Sequence, residues 1–347
     1  MLLTIGILFC DKDLIYLENL LKNIKDKILI NDYEIILLDN RNNFESDISF
    51  LNDYKVLNLN NGNIYQLAGR KKIIENANGK YIWFVDADDD IFLIDESFLE
   101  IINQENDINV FSYLQITNEK EFWCEENNLF FEGDLLQPDC YKLSCLWNKW
   151  FKTEKLKEIT NLIPDEIRAS ASEDNFYNLM MLKNSNTLSY HKNFIYTFNS
   201  ERSNSAIIDY SNNIEKFKKC FFGLEETNNL IKKYITNEDL EKLHLNLERA
   251  DCYFYLKKIF ETTNAETQKE MFEIIKTYFS DDVLKETYND FIENLKFTEK
   301  SFNQIYDLFY SYYGDSFGYI EVETIYSFES GEEIRKEKII KKPLFYS

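Results

Sequence analysis

The first ninety residues alternate short apolar runs with amphipathic stretches, and this pattern limits the possible folds more than any other feature of the chain. Four runs have the composition of buried strands, the third weaker than the rest: 3–9, 33–39, 54–59 and 81–85. Helical spacing of apolar residues predicts helices over 14–28 and 65–76. Strands that are apolar on both faces and alternate with helices form parallel sheets covered on both sides. We therefore expect an α/β fold with a mostly parallel sheet flanked by helices.

The pattern changes twice further along the chain. Strand and helix signals mix between 96 and 210, and we interpret 1–210 as one domain built from two halves, 1–95 and 96–210. Long helical patterns follow from about residue 214, which predicts a mainly helical C-terminal domain over 211–347. Alternation on either side of 330–331 predicts a terminal β-hairpin.

Four carboxylates follow directly on the last of the four apolar runs, at 86 and 88–90. Such crowding is unfavourable unless a cation or strong donors compensate it. Hard divalent cations take one or two carboxylates and complete their shell with water and phosphate oxygens. Asp39 and Asp86 both stand at carboxyl ends of predicted strands, where ligands bind in open α/β sheets. We interpret the cluster as a clamp for a metal and a diphosphate; a solvated acidic turn is the simpler alternative.

The overall charge excludes some partners. The formal net charge is −22, from 61 acidic and 39 basic residues, so we expect no nucleic acid and no anionic membrane face as an electrostatic partner. No apolar run approaches the roughly 20 residues of a transmembrane segment, so any membrane contact is expected to be peripheral. The six cysteines form no C-x-x-C pair and follow no leader pattern, which predicts reduced thiols and a cytoplasmic protein.

Three segments of the chain have the order and approximate spacing of those in a known enzyme family: TIGILFCDKDLIYLENLLKNI, YEIILLDN and AGRKKIIENANGKYIWFVDADDD. With LWNKWF and SEDNFYNL, the chain resembles family 2 glycosyltransferases of the GT-A fold over roughly residues 2–205. The resemblance implies a donor-binding half over 1–95, an acceptor half over 96–210, and a nucleotide-sugar donor, with a UDP-sugar expected. It also implies a glycan or lipid-linked glycan acceptor in capsule, lipooligosaccharide or related surface polysaccharide synthesis.

The same resemblance assigns roles to individual residues. Asp39 would recognise the nucleotide base, Arg70 would hold the donor, and Asp86 would contact the ribose. Asp88 would ligate Mn²⁺ or Mg²⁺, with His191 as a further metal ligand; a structural histidine is the alternative there. The implied donor-side residues are Phe9, Asp11, Asp39, Arg70, Asp86, Ala87 and Asp88.

The chain also departs from the family pattern near the nucleotide. Asp39 is followed by Asn40 where a second aspartate is usual, and Phe9 stands where proline is usual. Gly69 precedes Arg70 where the family often has alanine. These differences alter the predicted base pocket and leave the metal clamp undisturbed.

The expected chemistry also follows from the residue types. Sugar transfer leaves negative charge on the departing phosphate, which a divalent ion and a cationic side chain stabilise. The acceptor hydroxyl must lose a proton, and Asp174 is the candidate base. One base and one displacement imply inversion at the anomeric carbon. The alternative for Glu173 and Asp174 is a helix start capped by Ser172.

Three expectations concern the acceptor side and the competing functions. We expect Trp147, Asn148 and Lys149 to line the acceptor side. A sugar nucleotidyltransferase is a second candidate function, although it would carry a glycine-rich loop where this chain has 10–13. A non-catalytic assembly module of polysaccharide machinery is a third, and the oligomeric state stays open.

Overall fold

The computed structural model describes residues 1–42, 48–59, 61–117, 120–124, 145–199, 214–261, 264–294, 320–329 and 332–341. The first strands and helices lie where the sequence predicts them. The strands are β1 (Leu3–Phe9), β2 (Tyr33–Asp39), β3 (Lys55–Leu57) and β4 (Tyr81–Asp86); the helices are α1 (Leu14–Lys27) and α2 (Gln66–Asn76). The four strands are parallel, in the order β3-β2-β1-β4. The predicted α/β class is confirmed.

The second half of the sheet is mixed. Its elements are β5 (Asp90–Ile91), α3 (Phe98–Asn103), β6 (Ile108–Thr117), β7 (Lys120–Cys124), β8 (Lys149–Lys152), α4 (Thr153–Thr160), α5 (Glu173–Asn184) and β9 (Leu188–Asn199). The sheet continues from β4 as β8-β6-β9-β5, with β7 paired to β6. β8 runs antiparallel to both β4 and β6, whereas β9 is parallel to β6. The sheet is therefore parallel in its first half and mixed beyond β4.

Helices cover both faces of the sheet, because its strands carry apolar side chains on both sides. Leu17, Leu20, Leu21 and Ile24 of α1 are buried in one core. Ile73 and Ile74 of α2 are buried in a second core on the other face. Each such side chain stabilises the fold by about 1.5–3 kcal/mol when fully buried.

A glycine sets the distance between α2 and the sheet. A β-carbon at Gly69 would lie 2.5 Å from Cδ1 of Leu8 and 2.8 Å from Cδ2 of Leu38. Only a residue without a side chain allows this close approach. The approach also fixes the position of the next residue, Arg70.

Helices dominate the described C-terminal part. They are α6 (Ile214–Lys219), α7 (Leu224–Tyr234), α8 (Glu238–Glu261), α9 (Ala265–Tyr278) and α10 (Asp281–Asn294). Two further strands, β10 (Ile320–Glu329) and β11 (Glu332–Lys341), pair antiparallel. Within the described ranges, no helix combines the length and the apolarity that a membrane crossing needs.

The C-terminal helices share a core with the sheet. α7 and α8 pack against α5. Leu230, Ile231 and Leu247 from these helices belong to the same buried cluster as Ile73 and Phe84. The predicted boundary at 210/211 falls within 200–213, outside the described residues. The division into two domains stays a prediction.

Candidate active site

Residues far apart in the sequence meet at the carboxyl end of β4. Asp86 is the last residue of that strand, and Arg70 lies in the second turn of α2. Glu173 and Asp174 are the first two residues of α5. The structure therefore brings together three of the predicted site residues, Arg70, Asp86 and Asp174, and adds Glu173.

Arg70 is the centre of this cluster. Its Nη2 atom lies 3.2 Å from Asp174 Oδ1, 3.6 Å from Glu173 Oε1 and 3.8 Å from Asp86 Oδ1. Its guanidinium carbon is 5.1 Å from the centre of the Phe84 ring. Burial alone would lower the pKa of Arg70, but the three carboxylates raise it above its ordinary value. Arg70 is a permanent cation, and it faces more negative charge than it can neutralise.

Burial and the excess of negative charge raise the pKa values of the three carboxylates. Loss of contact with water and the neighbouring Asp174 raise the pKa of Glu173 to about 8. Burial also raises the pKa of Asp174, against the opposing effects of Arg70 and Lys149. The pKa of Asp86 is also raised, mainly by desolvation and to a smaller extent by Asp174 and Asp88. Asp86 is the most exposed of the three carboxylates, with 41% of its side chain open to solvent. The cluster favours the binding of a proton or a further cation.

The three acidic residues that follow β4, at 88–90, have different partners. Asp90 accepts hydrogen bonds from Asn23 and Lys27 at 3.0–3.1 Å. Asp89 accepts from the Tyr196 hydroxyl at 2.8 Å and from a backbone N–H at 3.1 Å. These two carboxylates are therefore compensated by the protein. Among the described residues, Asp88 has neither a hydrogen bond nor an ion pair, although its neighbours carry several.

Asp86 and Asp88 carry the kind of oxygen ligand that would hold a divalent cation of the Mg²⁺ type. Such an ion needs only one or two protein carboxylates, since water and substrate phosphates supply the other oxygens. Within the described ranges, no group of three or more His, Cys, Asp or Glu side chains forms a complete metal cage. Two carboxylates at an open strand end are the arrangement that leaves coordination positions for a substrate.

The predicted base-binding residues are adjacent to each other and already occupied. Phe9 and Asp39 are paired in the sheet register at the ends of β1 and β2. Asp39 is fully buried, and its carboxylate accepts from Arg41 Nε at 2.9 Å and Nη2 at 2.8 Å. The Arg41 guanidinium lies 5.9 Å from the Phe9 ring. Asp11 accepts a hydrogen bond from the Asn42 N–H at 3.0 Å. Sequence reasoning did not find Arg41.

His191 does not join the acidic cluster. Its Nε2 atom is 2.9 Å from Asn109 Oδ1, and its ring stacks on Phe111 with centroids 5.0 Å apart. Phe111 belongs to the core that contains Trp83, whereas Phe84 and Asp86 point to the other face of β4. Burial lowers the pKa of His191 to about 4. The described contacts of His191 are with Asn109 and Phe111, and its role as a further metal ligand stays a prediction.

The segment expected to line the acceptor side is buried instead. Lys149 is almost fully enclosed, and its ammonium group donates to Cys145 O and Asn148 Oδ1. The Trp147 ring stacks flat on Tyr196, with centroids 4.5 Å apart. Asn148 and Lys149 are buried and Trp147 nearly so, and contact of these side chains with an acceptor stays a prediction.

Ala87 and Glu173 are the remaining residues of the site. Ala87 is buried between Asp86 and Asp88, where it contributes packing. Glu173 was passed over because the sequence offered it only as a helix-start residue beside Asp174. Ser172 does occupy the N-cap position of α5, but its side chain makes no capping hydrogen bond. The helix-start alternative therefore loses its capping hydrogen bond, whereas the two acidic residues in the first turn agree with it.

Comparison with known proteins gives an independent view of this site. Residues 5–172 match the sequence model described as glycosyl transferase family 2. The crystal structure of S. aureus TarS 1-349 in complex with UDP-GlcNAc has a TM-score of 0.51 and 15% identity, with 99% of each chain covered. S. aureus TarS 1-349 in complex with UDP has a TM-score of 0.45 and 12% identity, with 98% of each chain covered. No curated protein sequence matches the chain.

The matched segment contains Asp39, Arg70, Asp86 and Asp88, and it ends one residue before Glu173. The similarity to the first TarS structure covers 99% of the chain. Both findings agree with an α/β sheet whose strand ends carry the carboxylate cluster. Residues 5–172 thus form a family 2 glycosyltransferase domain of the GT-A fold, and the chain is a glycosyltransferase.

Proposed function

We propose that the chain is an inverting, metal-dependent glycosyltransferase that moves a sugar from a UDP-sugar to a hydroxyl group of a surface glycan. The observation that carries this proposal is the cluster at the end of β4, where one arginine faces three carboxylates and Asp88 has no partner among the described residues. The UDP-GlcNAc bound in the similar TarS structure supports a uridine donor.

The donor side of the proposal uses Asp86 and Asp88. A divalent cation bound there would offset the charge of the diphosphate as the sugar leaves. Asp88 is available for this role since no described side chain engages it. Asp86 is half exposed at the strand end, where it can meet the ribose. Asp39 reaches a base only if Arg41 turns away from it, so Arg41 controls entry to the base pocket in this proposal.

The acceptor side of the proposal uses Asp174. The acceptor oxygen attacks the anomeric carbon, the bond from that carbon to the phosphate oxygen breaks with its electron pair, and the hydroxyl proton passes to Asp174. The Asp174 side chain is 26% exposed and that of Glu173 only 10%. Asp174 is therefore the carboxylate that an acceptor can reach. Arg70 at 3.2 Å holds it in place and favours its ionised form.

In this proposal, the direct partners of Arg70 are the three carboxylates. Its side chain is 9% exposed, and three carboxylates surround the Nη2 atom. The Nε atom of Arg70 is buried and has no hydrogen-bond partner among the described residues. The expected role of Arg70 in holding the donor stays a prediction.

A ligand screen separates this proposal from a nucleotidyltransferase. The melting temperature is measured with UDP-sugars and Mn²⁺, and with a sugar 1-phosphate plus a nucleoside triphosphate. A ligand at a hundred times its Kd stabilises the fold by about 2.7 kcal/mol. We expect that stabilisation, together with UDP release, from the UDP-sugar. Pyrophosphate release from the triphosphate would contradict the proposal.

A further inference from the structure

An unusual backbone conformation precedes the candidate base. Ser172 has φ +55° and ψ +19°, in the left-handed region that residues with a side chain rarely adopt. Such conformations persist only when the surrounding structure enforces them, and they concentrate at functional sites. Ser172 is followed directly by Glu173 and Asp174, so its backbone sets the direction in which both carboxylates leave the turn.

A carboxylate from the C-terminal helices holds this turn. Asp251 lies on α8, and its Oδ2 atom accepts a hydrogen bond from Ser172 Oγ at 3.0 Å. The same oxygen accepts from Asn175 Nδ2 at 3.1 Å. The two donors flank Glu173 and Asp174 in the sequence. Asp251 therefore fixes the chain on both sides of the carboxylate pair.

The contacts of Asp251 are not those of a residue placed for stability alone. Both of these hydrogen-bond donors are neutral, and among the described residues Asp251 forms no ion pair. The surrounding helices remove enough water to raise the pKa of Asp251 to about 7. A carboxylate in such a place costs stability unless its partners compensate it fully. Its clear effect is on the geometry of the turn.

A second C-terminal contact holds the preceding residues. The N–H groups of Ser170 and Ala171 donate to Phe222 O at 3.0 and 3.2 Å. Gly223 has φ +77°, and a β-carbon there would lie 2.4 Å from the Cα atom of Ala169. The turn between α6 and α7 therefore lies directly against the segment that leads into Ser172.

We propose that Asp251 is a positioning residue for sugar transfer, which orders Ser172 and Asn175 so that Asp174 is aimed at the acceptor while it contacts Arg70. This inference rests on the proposed function and gives the C-terminal helices a role in it. Asp251 touches neither substrate nor the reacting atoms. It acts through the helix start that carries the base.

The test compares three variants with one matched control. Asp251→Ala and Ser172→Ala each remove the hydrogen bond between the two residues, and the double variant removes both partners. The control is Glu248→Ala on the same helix, whose carboxylate accepts from Asn228 at 3.0 Å and lies 3.3 Å from Lys232. Glu248 makes the same kind of contact with α7, away from the base.

Two measurements are made on each full-length variant: steady-state turnover of the UDP-sugar, and hydrogen exchange of the amides over 169–176. A misplacement of about 1 Å can lower a rate a hundredfold. We expect Asp251→Ala to lower kcat roughly ten- to a hundredfold with the donor KM unchanged, and to speed exchange over 169–176. The double variant should be no worse than the single ones, and Glu248→Ala should keep wild-type kcat and exchange.

The inference is overturned if Asp251→Ala behaves like Glu248→Ala in both measurements. Should Asp251→Ala fail to fold, Ser172→Ala decides the question by the same criteria. If the wild-type protein turns over no sugar nucleotide, the proposed function fails. Hydrogen exchange then still decides the positioning role: faster exchange only in the Ser172 and Asp251 variants supports it, and unchanged exchange contradicts it.

Discussion

At the residue scale, the site is defined by a charge imbalance that the sequence shows only in pieces. Arg70, Asp86 and Asp174 could each be chosen from motifs, because each follows a recognisable strand or precedes a helix. The sequence could not show that Arg70 lies 3.8 Å from Asp86 and 3.2 Å from Asp174. The second distance depends on how α2 and α5 pack, and these helices are about a hundred residues apart in the chain. Glu173 and Arg41 were missed for the same reason, because their roles come from contacts and not from patterns.

Asp174→Asn should lower turnover by roughly two to four orders of magnitude, which is what general-base help contributes. Donor affinity should change little, since asparagine keeps the size of the side chain. Steady-state kinetics and UDP titration measure the two effects. Asp165→Asn is the control, because that exposed carboxylate pairs with Lys71 away from the cluster. Loss of donor affinity in Asp174→Asn would place the residue in the donor site instead.

Glu173→Gln should change how stability depends on pH. The pKa of Glu173 is raised to about 8, against about 4.3 in an unfolded chain, so the folded state binds more protons in between. Protonation of Glu173 contributes stability that is fully present below the pKa of the unfolded chain. This contribution is lost as pH rises through the pKa of the folded protein. The variant should therefore gain stability relative to wild type as pH rises from about 5 to about 9.

Urea unfolding at several pH values measures this difference. Glu105→Gln serves as control, because its ion pair with Lys80 lowers the pKa of Glu105 and should produce no such gain. A difference between Glu173→Gln and wild type that stays constant with pH would show that Glu173 is ionised at neutral pH.

At the scale of elements, local patterns predicted the first half of the sheet well. The boundaries of α1, α2, β1 and β2 follow from buried apolar residues at helical or strand spacing. The third strand is shorter than predicted, since Asn58 has φ +61° and ends it. The antiparallel pairs of β8 could not be read from the sequence, because partner choice in a mixed sheet is a property of the tertiary fold.

Gly69→Val should destabilise the protein by about 1–3 kcal/mol through overpacking against Leu8 and Leu38. It should also lower turnover, because α2 must move and carry Arg70 away from the carboxylates. Glu75→Val places the same side chain on the exposed face of the same helix and is the control. Chemical unfolding and steady-state kinetics provide the measurements. Equal behaviour of the two variants would mean that the close approach of α2 does not matter.

At the scale of the whole molecule, the C-terminal helices are part of the structure that supports the site. The family resemblance implied the class of ligand, but it did not show that α7 and α8 pack against α5 and share its core. The helical pattern after residue 214 showed which side chains are apolar, and it gave no information about the surface they cover. We expect no catalytic residue in this region, and Asp251 is assigned a positioning role only.

Deletion of 211–347 should prevent folding. Leu230, Ile231 and Leu247 are buried in the core they share with the sheet, and each contributes about 1.5–3 kcal/mol. Their joint loss approaches the net stability of a typical domain, about 5–15 kcal/mol. A chain ending at residue 294 keeps these helices and is the control. Circular dichroism and thermal unfolding compare the two. A cooperative transition in the shorter chain would contradict the shared core.

The most direct test of the central claim is the calorimetric affinity for UDP with Mn²⁺ and with EDTA. We expect wild-type protein to bind at least about tenfold more tightly with Mn²⁺, a difference of about 1.4 kcal/mol. Asp88→Ala should abolish the enhancement and keep the fold, whereas Asp90→Asn, whose carboxylate is bonded to Lys27, should retain it. Equal affinity of the wild-type protein in Mn²⁺ and EDTA would contradict a metal-dependent donor site at the end of β4.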